Sequence, residues 1–454
     1  MKRRIAEGTI LLLDIVKWVV VATTVGVVVG LSSAVFLKTL FISSQTVHGI
    51  QLYYVFLPAA FFLSTLMISK LAPEAEGHGT EKVVEAIHRR FGKINIATVP
   101  VKLAATVVTI AFGGSAGKEG PCAQIGAGLA SGMADLFRFN KHDRRKIVIC
   151  GISAGFAAVF GTPIAGAIFG VEVVFIGAML YDVLLPSIIA GTIGYQVAAT
   201  LGMEYMYTPV RGIPVFAPSL FFQVLLAGVF FGIVSFVFIE VLNFAKNLSS
   251  KIKMRKHIKA LFGGFVLAIL AVLFSVKYLG LGVDTLDSAL AGGACSWYDP
   301  VLKMIFTSVT LEFGGSGGIV TPIFFIGSTA GSFFAGLIGQ DGSMFAVLGL
   351  VSLLSGAANT PIAAIIMAVE LFGPEIAPYA ALSCALSFIM TGHRSVFPSQ
   401  VLSIRKASSI HTALGTEMSN IRTMPRLPRI IRILRVLISR KRNTFSRNRS
   451  GRQE

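Results

Sequence analysis

The sequence predicts an all-α, polytopic membrane protein built as two related halves. Three observations predict it: long stretches without charge, glycine spread through apolar sequence, and a match of the chain to itself. Of 454 residues, 54% are hydrophobic and only 14% are charged, against about 25% charged in an average soluble domain. No Asp, Glu, Lys or Arg lies between Lys146 and Glu172, Arg211 and Glu240, Glu312 and Asp341, or Asp341 and Glu370. Each gap is long enough for a membrane helix, which needs about 20 mostly apolar residues. The 47 glycines read as tight helix packing and broken helices, since membrane helices tolerate glycine and use it for close approach.

Residues 1–8 form an N-terminal stub carrying Lys2, Arg3 and Arg4. The apolar run 9–41, interrupted only by Asp14, Lys17 and Lys38, is too long for the core of a cleavable signal. It predicts a first helix that stays in place, with its N-terminus in the cytoplasm. Asp14 and Lys17 stand at i and i+3 and are expected to pair on that helix. Trp18 and Trp297 are candidate interface anchors.

The self-match sets the organisation. Phe112 opens F-G-G-S-A-G-K-E-G-P-C-A-Q-I-G, and Phe313 opens F-G-G-S-G-G-I-V-T-P-I-F-F-I-G, an offset of 201. Thr162 opens T-P-I-A-G-A-I-F-G-V-E, and Thr360 opens T-P-I-A-A-I-I-M-A-V-E, an offset of 198. Two matches in one order at nearly one offset predict a membrane repeat at 9–205, a connecting loop at 206–217 and a second membrane repeat at 218–402. Repeats of this kind mark transporter folds, with the substrate site between the halves near the midplane. The residues alone leave open whether the repeats are parallel or inverted.

Pro121 and Pro322 each follow glycine-rich backbone and precede an apolar run. Proline suits the first turn of a helix, where its missing N–H has no partner to lose. Each glycine stretch therefore reads as loop backbone ending at a helix N-terminus inside the apolar body. Such backbone is tolerated at membrane depth where it lines a cavity or is buried in protein. Helix N-termini attract anions, so two converging termini would make a neutral, amide-lined cradle. Glu119 stands at the mouth of the first terminus, and its counterpart at 119 + 201 is Val320. Ionisable groups inside membranes are costly and usually functional. One reading makes Glu119 an anion that occupies the cradle until protonation releases it; the other makes it a helix cap. Glu172 and Glu370 are repeat partners, and their symmetry points to a shared structural task such as capping a neighbouring helix end.

Gly117-Lys118-Glu119-Gly120-Pro121 resembles the signature of the CLC chloride channel and chloride/proton exchanger family. Gly318-Ile319-Val320-Thr321-Pro322 is similar to the family's glycine-x-phenylalanine-x-proline signature, with Val320 in the phenylalanine place. Gly77-His78-Gly79-Thr80-Glu81 loosely resembles its glycine-serine-glycine-isoleucine-proline signature. The resemblance runs over about residues 10–402 and implies a CLC-type inverted repeat with broken helices, and a homodimer with one anion pathway per subunit. It implies that Glu119 gates. It also implies that the anion is bound at Ile319 and Val320 and by the backbone around Lys118, Glu119 and Gly120, with His78 and Gly79 at the inner end. His78 takes the place of an ion-coordinating serine, and Phe397 that of a hydroxyl-bearing tyrosine. Fluoride-selective relatives also depart at the serine, with methionine. His78 reads either as a hydrogen-bond donor to the anion, partly charged near neutral pH, or as a histidine bonded to backbone at a helix start. Aligned on Phe160-Gly161-Thr162-Pro163, the proton-relaying acid of the family's exchangers falls on Val173. Valine binds no proton, so the expectation is chloride transport that is passive or weakly proton-coupled, with stoichiometric chloride/proton antiport as the alternative.

Other functions find little support. The chain has no HExxH and no soluble domain to act as a scaffold, and its acids are too sparse for a cation transporter. No enzyme activity, cofactor or metal is expected. Cys122, Cys150, Cys295 and Cys384 are far apart and read as buried free thiols. The formal net charge is +18, and residues 405–454 hold 13 Lys+Arg against 2 Asp+Glu. The tail 403–454 therefore carries +11 of the charge beyond Arg405, leaving 18 − 11 = +7 for the rest. A basic tail on a membrane body predicts anionic lipid headgroups as partner, not nucleic acid. Within 425–441, Leu427, Ile430, Ile431, Leu434, Leu437 and Ile438 share a helical face opposite Arg429, Arg432, Arg435 and Arg440. That stretch reads as a surface helix or as a disordered basic tail. The expected location is the plasma (inner) membrane, with both termini cytoplasmic.

Overall fold

A computed structural model of the chain describes residues 2–205, 207–210, 218–421 and 424–425, with side chains from residue 7. Sixteen α-helices are present among the described residues. The first half runs through α1 (Lys2–His48), α2 (Leu57–Leu71), α3 (Thr80–Arg90), α4 (Thr98–Ala111), α5 (Glu119–Leu136), α6 (Lys141–Phe160), α7 (Pro163–Glu172) and α8 (Tyr181–Thr200). The second repeats that order as α9 (Pro218–Lys251), α10 (Lys256–Leu273), α11 (Val283–Leu290), α12 (Tyr298–Glu312), α13 (Val320–Ile338), α14 (Gly342–Ala358), α15 (Pro361–Phe372) and α16 (Ala377–Met390). Every helix thus has a counterpart eight places on.

The helices break where the sequence breaks them. Gly161 closes α6 in the left-handed region, and Thr162-Pro163 restarts the chain as α7 with proline in its first turn. Asn359 closes α14 in the same conformation, and Thr360-Pro361 starts α15. The charge-free gaps 147–171 and 342–369 are therefore helix pairs, not single spans. A count of charges cannot see a turn that needs only one left-handed residue and a proline. Among the described residues, six helical segments are long and apolar enough to cross a membrane, those containing α1, α2, α8, α9, α10 and α13; α4, α7, α14 and α15 are shorter.

Packing follows the repeat. The α5–α6 pair meets at Gly126 and Gly151, where a Cβ on either would fall about 2.5 Å or less from the other's carbonyl oxygen. The α13–α14 pair meets in the same way at the counterparts, Gly327 and Gly349. Between the halves, the Glu172 carboxylate accepts from the N–H groups of Ile362 and Ala363 at the start of α15, at 3.1 and 2.9 Å. Glu370 returns the contact, accepting from Ile164 and Ala165 at the start of α7, at 2.9 and 2.8 Å. Each half caps the other's orphan helix amides with a charge that suits a helix N-terminus.

Beyond α16 the chain folds back onto the body. β1 (Phe175–Ile176) pairs in parallel with β2 (Val401–Leu402), and β3 (Ile410–His411) pairs antiparallel with β4 (Met424–Pro425). Glu417 binds Arg89 of α3 at 2.6 and 2.9 Å. Residues 403–421, assigned to the tail from sequence, thus lie against the body. The helical pattern over 425–441 falls outside the described residues apart from Pro425.

Three local expectations are corrected. Lys17 pairs with Asp143 of α6 at 2.6 Å instead of with Asp14, because packing of α1 on α6 offers a half-buried carboxylate. Trp18 is buried, with the Lys17 and Lys146 ammonium groups over its ring, whereas Trp297 is exposed. Cys295 is only partly buried, unlike the other three thiols.

Candidate functional site

The two glycine loops meet at the centre. Gly117 and Gly318 exchange backbone hydrogen bonds of 2.7 and 2.6 Å in an antiparallel bridge. The amide of Ser115 donates to the Thr310 hydroxyl of α12, and the amide of Ser316 donates to the Thr109 hydroxyl of α4, both at 3.0 Å. Gly117 and Gly318 are related by the offset of 201, and the two serine–threonine contacts are each other's counterparts under it, 115 answering to 316 and 109 to 310. Antiparallel exchange between equivalent residues requires a local twofold between the halves, so α5 and α13 approach it from opposite sides, N-termini inward.

Glu119 is the first residue of α5 and is buried. Its carboxylate crosses the dyad, accepting from the Thr321 N–H in the first turn of α13 at 3.0 Å and pairing with the Thr321 hydroxyl. A carboxylate thus sits where an anion would sit on a helix N-terminus. Ile319 caps α13 and Val320 opens it, both buried, so the loop opposite Glu119 offers backbone and apolar side chains. Thr321 went unnoticed in the sequence; its signal is a hydroxyl in a helix's first turn, where the other half has Gly120.

The third segment is Gly77-His78-Gly79. Gly79 caps α3 with a φ of 78°. A Cβ there would fall 2.2 Å from the Gly120 carbonyl oxygen, and a Cβ on Gly120 would fall 2.2 Å from that of His78. Only glycine permits this approach, which lays His78 and Gly79 directly on the start of α5. Lys102 of α4 fixes the segment from beneath, its ammonium donating to the carbonyls of Ala75 and Gly77 at 3.1 and 2.7 Å. Lys303 of α12 repeats the device on Tyr278 and Gly280, at 3.1 and 3.0 Å.

The His78 side chain meets a carboxylate, a partner that neither reading drawn from sequence named. Its Nε2 lies 3.4 Å from the carboxylate of Glu312, the last residue of α12, and both side chains are about 15% exposed. Its Nδ1 is buried without a partner among the described residues. The pair lines a polar cavity of about 640 Å³ that opens to one face, with Glu76, Glu81, Lys82, Lys256 and Lys259 in the wall. Glu81 is held by the amide and hydroxyl of Ser399.

The remaining candidates are more distant. Lys118 caps α5 through its backbone and makes no side-chain cap bond. Phe397 is fully buried; its neighbours Val396 and Pro398, not Phe397 itself, line a small cleft with His78 and Glu312. Val173 is buried at the end of α7, its carbonyl accepting from Gln400 at 2.8 Å. The structure therefore brings together His78, Gly79, Glu119, Gly120 and the first turn of α13. Val173 is not in the cavity wall.

Comparison with known proteins is consistent with this geometry. The family model described as voltage gated chloride channel matches residues 60–392. A chloride/fluoride channel protein of Pseudomonas syringae pv. tomato is 36% identical over 407 residues, covering 88% of this chain and 89% of the relative. The H(+)/Cl(-) exchange transporter ClcA of Vibrio cholerae is 24% identical over 70% of this chain and 71% of its own. The crystal structure of a CLC-type fluoride/proton antiporter superposes with a TM-score of 0.82 at 28% identity, covering 86% of this chain and 99% of that one. A slow cyanobacterial Cl-/H+ antiporter superposes with a TM-score of 0.72 at 18% identity, covering 82% and 94%.

Proposed function

Because the chain belongs to the voltage-gated chloride channel family, as a multi-pass membrane protein of anion transport, we propose that it exchanges a halide, chloride or fluoride, for protons, with Glu119 as the gate. The observation that carries this is the Glu119 carboxylate on the first turn of α13. It occupies the position a halide needs, and only protonation or withdrawal frees that position. In this reading the halide binds at the backbone of Ile319 and Val320 and beside Gly79 and Gly120, with the Thr321 hydroxyl as a further donor. Binding by amides and hydroxyls without a full opposing charge keeps the ion weakly held, as rapid passage requires.

Val173 favoured passive conduction. The exchange reading is preferred because the relative with the TM-score of 0.82 is a fluoride/proton antiporter and because the cavity wall holds other titratable groups. Passive flux remains the second reading, resting on Val173 alone. The face that carries α3, the α5–α6 turn and residues 401–421 is read as cytoplasmic. It gathers Arg89, Arg90, Lys93, Lys141, Arg144 and Lys256, as the positive-inside rule requires. The assembly that goes with the family is a homodimer, and the location the plasma membrane.

The test uses full-length protein in liposomes, with halide and pH recorded together under an outward halide gradient. Exchange gives proton uptake in step with halide release, for both chloride and fluoride. Halide release without proton movement would reinstate passive conduction.

A further inference from the structure

We infer that His78 and Glu312 form the inner proton-loading pair, taking the role that an acid at position 173 cannot fill. This rests on the exchange reading above.

The first support is where the two halves cease to match. Several charges that do structural work occur twice: Lys102 with Lys303, and Glu172 with Glu370; Asp299, bonded to Tyr278 and Ser296, occurs once, with Thr98 as its counterpart. Even Glu81, in the first turn of α3, has Asp284 in the first turn of α11. Four titratable residues at the centre have no such twin, among them Lys118, which answers to Ile319. Glu119 faces Val320. His78, between Gly77 and Gly79, answers to Leu281 between Gly280 and Gly282, a register fixed by the two lysines and by the left-handed caps Gly79 and Gly282. Glu312 answers to Ala111. A group present in both halves serves the shared frame, whereas a vectorial proton path is needed once. Two of the four unmatched groups, His78 and Glu312, are in contact with each other.

The second support is position. The pair stands between the open cavity and the gate, with the His78 backbone packed against Gly120, next to Glu119. Its Nδ1 is buried and unpartnered, so it is ready for a water or a proton. A proton from cavity water converts the pair to imidazolium and carboxylate, which stabilise each other. The imidazolium then gives up one proton, through water, to the Glu119 carboxylate once that leaves Thr321, and returns to neutral imidazole.

The surrounding charges are consistent with this exchange. From α3 the pair meets Glu81 and Lys82, from the preceding turn Glu76, and from α9 and α10 Lys246, Lys256 and Lys259. Lys118 stands beside Glu119. Glu76 and Lys256 bind each other, and Glu81 is held by Ser399.

The experiment counts protons taken up per halide released by full-length protein in liposomes. A general acid matched to its task contributes at least about a hundredfold, so Glu312→Gln should lower the ratio by roughly tenfold or more. Glu312→Asp, which keeps a carboxylate, should restore most of it. His78→Gln keeps hydrogen-bonding capacity without titration and makes the same test independently, should Glu312→Gln fail to fold. A purely structural role would slow both fluxes together and leave the ratio unchanged. A wild-type ratio in either glutamine variant overturns the pair. Halide flux without protons in the wild type would instead overturn the exchange reading.

Discussion

The two halves share eight helices, two buried lysines, two reciprocal glutamates and two interlocked glycine loops, yet one cradle is occupied by a carboxylate and the other is not. The first half supplies Glu119 and His78, and the second supplies Thr321 to receive the one and Glu312 to receive the other. Symmetry builds the frame, and departures from it mark the ion path. Internal comparison therefore does here what an alignment of relatives would do elsewhere: it separates residues that hold the fold from residues that act.

The sharpest way to break the comparison is to exchange its central difference. Glu119→Gln should abolish proton uptake and leave halide flux independent of pH, read as flux over a pH series. Val320→Glu places a second carboxylate at the same point, where two like charges resist joint ionisation. Flux should fall at neutral pH and recover on acidification, measured in the same assay.

The matched lysines come next. Lys102→Met and Lys303→Met each remove an ammonium that donates to two buried carbonyls. Each should cost about 2–4 kcal/mol, since hydrogen bonds to charged groups are strong and buried carbonyls are left unpaired. Thermal unfolding in detergent checks this. The two losses should be similar, but only Lys102→Met should also weaken halide binding, because only Lys102 holds the His78 segment. Smaller still are Glu172→Gln and Glu370→Gln, each about 1–2 kcal/mol for loss of charge at a helix N-terminus. Neither should change the protons moved per halide.

The smallest effect concerns the Arg89–Glu417 clasp. The hydrogen bond from Arg89 holds the Glu417 carboxyl below its ordinary value of about 4.5. A depressed folded value adds stability that is fully present above the ordinary carboxylate range and is lost as pH falls through the folded value. Hydrogen exchange of residues 401–421 should therefore be unchanged from neutral pH down to the ordinary carboxylate range and rise only below that range. Arg89→Gln should remove that acid-induced rise.

Much of this was legible in the sequence because repetition is a one-dimensional signal. The halves, the proline-started helices and the isolation of Glu119 all follow from spacing. What escaped depends on how the halves cross. Glu312 reads as the end of an apolar helix until α12 is seen to bring it to His78. Thr321 reads as one more small residue until the dyad sets it against Glu119. The expected Asp14–Lys17 pair failed for the same reason, since a helix-local rule has no knowledge of Asp143. Val173 carried weight as an aligned position, and the structure adds only that it is buried at the end of α7 and outside the cavity wall.

The bridge between Gly117 and Gly318 also bears on biogenesis. The first loop is synthesised about two hundred residues before its partner. Until Thr310 and Gly318 arrive, the amides of Ser115 and Gly117 and the carboxylate of Glu119 lack the partners they have in the finished protein. Buried backbone groups do not persist unpaired, so the nascent first half must hold this region hydrated or loosely packed while the translocon handles the second. The candidate site is then incomplete until the second half is made, as are the α7 amides until Glu370 arrives. Lesions in α12 or at the start of α13 would be felt first as a failure of the earlier half to leave quality control.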